Sequence, residues 1–263
     1  MLKKMLKYDL PRYYKFMYPF FGLAIFFALL TRLFLRFEGS LVMQILGEIV
    51  KGACFSMFCS ALINNFMRLM VRFRQSVYGD ESYLLHTLPV RRETVYDAKM
   101  VTVLITTVSS FLLAFACMAI MFLRGGFLQN LKEWMAQLTQ VTGGNVGLLA
   151  VGLILLLWVE FVNLLQCAFS GIILGNRRAD KKFGFSFLFA AVVFLVTQGI
   201  SSTAIAILAI FHSEVRNLFT QNQMPSAATF GLMIWVFVGV YALLVAGVWA
   251  FNRKALKRGV DVE

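Results

Sequence analysis

Residues 155–175 read "LLLWVEFVNLLQCAFSGIILG", and this stretch decides the class of fold. It is 21 residues of almost unbroken apolar sequence with one carboxylate, Glu160, near its middle. About 20 apolar residues in a helix cross a hydrocarbon core roughly 30 Å thick. Working outward, five more runs of that kind appear. The six spans lie at about 17–35, 43–66, 100–123, 147–174, 184–211 and 229–251. The second is the most polar, since Glu48 and Lys51 fall in its first turns; one turn apart and opposite in sign, they can pair near the interface.

Composition agrees with this reading. The chain of 263 residues is 60% hydrophobic and only 14% charged, with a mean hydropathy of +0.76. A soluble domain of this length needs far more polar surface. The spans carry no alternation at strand length, which excludes a β-barrel. The expectation is an all-α, polytopic helical membrane protein with one transmembrane domain over residues 1–263. Span one is too long for a signal-peptide core, and "TRLFLRFEGS" after it offers no small-residue cleavage site, so it is read as retained.

The net charge of +12 comes from an uneven distribution. Nineteen of the 25 Lys and Arg fall in the N-terminal tail, the segment after span two, the segment after span four and the C-terminal tail. Such a bias places both termini in the cytoplasm. It calls for a lipid bilayer, with no nucleic acid needed to explain it. The four cysteines, Cys54, Cys59, Cys117 and Cys167, lie inside spans without metal-ligand spacing and read as small apolar core residues.

At the N-terminus, Leu2, Met5, Leu6 and Leu10 recur at helical spacing, with Lys3, Lys4 and Lys7 on other faces. This predicts an interfacial helix ended by Pro11, or else a frayed basic tail. Residues 124–146 carry Leu128, Leu131, Trp134, Met135 and Leu138 at helical spacing and predict an amphipathic helix bounded by glycine pairs. In 184–211 the polar "TQGISST" at 197–203 is expected to interrupt the span. His212 reads as an ordinary surface histidine.

Two sets of residues are candidates for function. Glu160, Asn163 and Gln166 recur every third residue and share one side of span four, a costly arrangement at that depth unless the side faces inward. They fit a transport-pathway wall or an interhelical hydrogen-bond clamp equally well. No span offers Glu160 the partners an intramembrane protease needs. No pair of interrupted spans carries the matched ion ligands of a secondary transporter.

The second set is "YGDESYLLHTLPVRRETVYDAK", residues 78–99, in the longest cytoplasmic segment, 67–99. Gly79 and Asp80 form a turn and helix cap, and Glu81 suits the positive end of a helix dipole. Tyr83, Leu84 and Leu88 make an apolar flank, and Pro89 stops the helix. A helix this short cannot cross a bilayer. On these residues alone it either docks a partner or packs beneath its own bundle.

The series Gly79, Asp80, Glu81, Tyr83, Leu84, Thr87, Leu88, Pro89 and Lys99 resembles the signature of six-span, type-2 exporter permeases of Gram-positive ABC transporters, with Ser82 where glycine is usual. The resemblance implies that the short element is a coupling helix, through which a separate ABC ATPase drives the spans. It implies a second permease subunit, as homodimer or heterodimer, and export of a hydrophobic or amphipathic substrate. The family also folds residues equivalent to 212–228 as a short hairpin in the outer leaflet, although a plain loop fits them too. ATP and Mg would belong to the partner, because no G-x-x-x-x-G-K-[ST] stretch exists in this chain; the permease itself is expected not to be an enzyme and to hold no cofactor or metal. The alternative is a non-transporting membrane sensor or assembly protein that keeps the same docking helix.

Overall fold

Lipid offers no hydrogen bonds to a bare backbone, so a chain this apolar must satisfy its amides internally, and helices do so within one segment. The computed structural model describes residues 2–34, 36, 41–79, 82, 91–122, 133, 146–177, 182–221 and 226–257. Among these residues there are seven helices. They are α1 (Leu2–Phe34), α2 (Leu41–Tyr78), α3 (Arg92–Phe122), α4 (Val146–Gly175), α5 (Lys182–Phe211), α6 (Ser213–Gln221) and α7 (Ala227–Lys257). All but α6 are long and apolar enough to cross a membrane. The protein is an all-α, multi-pass membrane protein.

Several boundaries differ from the sequence reading. Pro11 does not end a separate interfacial helix: α1 runs unbroken for 33 residues through both Pro11 and Pro19. The carbonyls those prolines cannot bond belong to Lys7 and Lys15, both exposed, where water or headgroups can take them. The segment 67–99 is shorter as a loop than expected, because α2 continues to Tyr78 and α3 begins at Arg92. The polar stretch 197–203 does not interrupt α5. Thr197, Ser201 and Thr203 each bond a carbonyl three or four residues back, so their hydroxyls are satisfied inside the helix. Ser213–Gln221 is helical, with Val215 buried. The amphipathic helix expected at 124–146 lies almost wholly outside the described residues.

The chain divides into two compact units, Met1–Asn130 and Leu131–Glu263. In the first, α1 packs against both α2 and α3. Its apolar centre is Ala24, Ala28, Cys54, Cys117 and Met121, with Phe27, Met57, Leu113 and Ile120 around it. Cys54 and Cys117 are buried free thiols here, and Cys167 is another in the second unit. Farther along, the ring of Phe73 meets Tyr96 edge-on at 6.2 Å, and both are fully buried. Lys51 and Glu48 form the expected surface pair at 3.1 Å.

In the second unit, α4 is the hub for α5 and α7. Gly171 and Gly175 sit one turn apart on α4, against Ser186 and Ala190 of α5. A Cβ at Gly171 would lie 2.3 Å from the Ser186 carbonyl, and one at Gly175 would lie 2.5 Å from the Ser186 Cα. Only glycine lets these backbones approach so closely, which is how helices gain dispersion contact in lipid. In both units the first and third long helices run parallel and the second antiparallel. Asp9 meets Lys99 and Tyr14 meets Ser109 in one unit, while Ser170 meets Asn252 in the other.

Candidate functional site

The 78–99 segment is built on the ends of α2 and α3. Gly79 closes α2 by donating its N–H to the Gln75 carbonyl at 3.2 Å, and a Cβ there would crowd that same carbonyl at 2.9 Å. Glycine at the end of a helix is therefore a steric requirement. The N–H of Ser82 then donates to the Gly79 carbonyl at 2.8 Å, and Ser82 is buried. On the far side the Arg91 carbonyl accepts from Thr94 and Val95, so Arg91 opens α3. Asp80, Glu81, Tyr83, Leu84, Thr87, Leu88 and Pro89 lie outside the described residues.

Lys99 ends the series inside α3, and its place is informative. Its ammonium is 2.6 Å from the Asp9 carboxylate of α1, and its side chain is only 10% exposed. A charge this deep needs a partner. Asp9 is the only acid before Glu38, a signal that was readable in the sequence. One turn inward lies a polar layer that sequence reasoning missed. Tyr13 donates its hydroxyl to Asn65, whose side-chain amide donates to the Thr106 carbonyl at 3.1 Å and the Ser110 hydroxyl at 2.7 Å. Tyr14 donates to Ser109 at 3.0 Å. The N-terminal half of α1 is thus tied to α3 at Lys99 and, deeper along the helices, to both α2 and α3 through the Asn65 layer.

The α4 face belongs to the second unit. Asn163 is fully buried and donates to Thr197 of α5 at 3.3 Å, with the Cys167 sulfur 3.9 Å from that hydroxyl. Gln166 is buried as well, and its carbonyl accepts from Ser170 at 2.9 Å and from Asn252 of α7 at 3.1 Å. Ser170 in turn donates to Asn252 at 2.7 Å. Glu160 stands at the edge of this face, half-buried. Asn163 bridges to α5, and the Gln166 carbonyl with Ser170 bridges to α7. Between α5 and α7 an apolar groove of about 690 Å³ opens, lined by Val192, Val196, Ile200, Leu243, Val248 and Phe251 among others.

Outside the spans, Glu214 of α6 receives three bonds to one carboxylate oxygen. They come from the Ser226 N–H (3.1 Å), the Ser226 hydroxyl (2.7 Å) and the Thr229 hydroxyl (2.6 Å). Ser226 caps α7, its carbonyl accepting from Phe230 and its hydroxyl from the Thr229 N–H. These donors, the Thr229 hydroxyl first, hold the Glu214 pKa down at about 2.

Compared with known proteins, the chain matches no family model, no curated protein and no solved structure. Within each unit most of the described basic side chains gather at one end, Arg32, Arg36 and Lys51 of the first unit and Arg216 of the second lying at the other. Those gathered include Lys7, Arg12, Arg72 and Arg92 in the first unit, and Arg177, Lys182, Arg253 and Lys257 in the second.

Proposed function

We propose that the chain is the transmembrane permease subunit of an ABC transporter in a bacterial plasma membrane, with both termini cytoplasmic. A separate ABC ATPase would dock on the element within residues 79–92, and a second permease subunit would complete the pathway. Export of a hydrophobic or amphipathic compound is the expected direction and class. The observation that carries the reading is the placement of the resembling motif. It joins two helices of 38 and 31 residues, each longer than the roughly 20 residues a crossing needs, at the basic end of their unit. A force applied there is transmitted along α2 and α3 as stiff rods, and the Asp9–Lys99 pair and the Asn65 layer pass it to α1.

The reading is tested by co-expressing a candidate ATPase and purifying in mild detergent. The ATPase should accompany the wild type and be lost from the Leu84→Asp, Leu88→Asp double variant while the permease keeps its melting temperature. An ATPase that accompanies neither form sinks the proposal and favours the sensor or assembly protein.

A further inference from the structure

Among the described residues, Arg68 of α2 is a cation with no acid paired to it. Its guanidinium lies over the Phe16 ring of α1, 4.7 Å from the centroid. Its Nε is buried and has no hydrogen-bond partner among the described residues. Stacking fixes the plane of the guanidinium but leaves the Nε donor unmet, and a buried unmet donor of a charged group is costly. Arg72 follows one turn later on α2, and Arg12 and Lys15 are exposed on α1 beside Phe16. Among the described residues, the acids of this end are Asp9, taken by Lys99, and Glu93 and Asp97 on α3, each of which has an interaction of its own.

The depth of this cluster is marked independently. Tyr14 and Tyr18 stack at 6.2 Å on α1, and Tyr18 is largely exposed. Tyrosines presented outward from a membrane helix sit at the level of the headgroups. On the same helix Phe16 pairs with Phe20 at 5.8 Å, and Phe16 is 40% exposed. An outward apolar ladder that leads to a planar cation at headgroup depth matches an amphiphile with an anionic head. From this we infer that Arg68, with Phe16 as its platform and Arg12, Lys15 and Arg72 around it, binds the phosphate of an anionic phospholipid. The guanidinium offers planar, forked donors suited to phosphate oxygens, and the acyl chains run along Phe16 and Phe20. The inference is independent of the permease reading.

The test uses the full chain in mild detergent, with bound lipid counted by native mass spectrometry. Phosphatidylglycerol and phosphatidylcholine of identical chains are titrated separately. The wild type should hold one phosphatidylglycerol in clear preference to phosphatidylcholine. Arg68→Gln should reduce that preference about fivefold. Phe16→Leu, which keeps apolar bulk but removes the platform, should reduce it about threefold. Phe16→Leu decides the matter if Arg68→Gln fails to fold. Lys254→Gln, an exposed cation at the basic end of the other unit, should leave the preference unchanged. Four results would overturn the site. They are equal binding of the two lipids, an unaltered preference in the folded Arg68 or Phe16 variant, an equal fall in Lys254→Gln, and displacement by millimolar inorganic phosphate.

Discussion

The two units use the same arrangement of three long helices and hold it together differently. In Met1–Asn130 the helices are joined by polar side chains: Asp9 to Lys99, Tyr13 to Asn65, Asn65 to Thr106 and Ser110, and Tyr14 to Ser109. In Leu131–Glu263 the α4–α5 contact rests on glycine, with Gly171 and Gly175 pressed against Ser186 and Ala190. Polar bonds there join α4 to α5 through Asn163 and to α7 through Ser170 and the Gln166 carbonyl. The contrast shows two solutions to one problem. Lipid is as apolar as leucine, so burial of apolar surface does not drive helices together within a membrane. Hydrogen bonds or very close packing must.

Close packing fails most abruptly when it is obstructed. Gly171→Val is expected to lower the stability of the second unit by about 3 kcal/mol, since the new Cβ meets a backbone carbonyl that cannot move aside. Gly239→Val has open space around it and should be nearly neutral. Thermal unfolding in detergent compares them, and equal melting temperatures would dissolve the distinction drawn between the units.

Polar ties are each weaker but act jointly. Asn65→Leu should cost about 2 kcal/mol, near the sum of its three interhelical bonds at roughly 0.6 kcal/mol each. Tyr13→Phe added to it should cost less than in the wild type, because the side-chain acceptor is gone and only the Asn65 backbone carbonyl, at 3.1 Å, remains to the Tyr13 hydroxyl. Additive losses in this double-mutant cycle would mean that the two side chains act separately.

The smallest effect is expected at the Glu214 clasp, and it has a pH signature. The folded pKa is depressed from 4.5 to about 2, so the clasp's contribution is complete above about 4.5 and is lost as pH falls through about 2. The difference in melting temperature between wild type and Glu214→Gln should therefore shrink across that window. A constant difference would show that the three donors bind the neutral side chain equally well.

Much of the architecture was legible because it depends on averages. Span length, hydropathy and the skew of Lys and Arg report the solvent around each segment, and no single residue can reverse them. The pair Glu48–Lys51 was legible because both partners lie on one helix at a known spacing. Helix ends were less so. Pro11 carried a stop signal that α1 overrides, since the carbonyl it leaves open can be satisfied at the surface. The 197–203 stretch misled for a related reason: hydroxyls that look disruptive bond back to their own helix.

By itself the sequence determined six membrane-length helices, their class and the basic bias of their ends, all consequences of local composition and 3.6-residue periodicity. Only the tertiary structure decided that Asn65 meets Tyr13, that Gly171 meets Ser186 and that Arg68 stacks on Phe16. Periodicity gives the face of each helix on which a residue lies. Which face meets which depends on the rotation and offset between helices far apart in sequence, and these arise only when all the side chains pack at once.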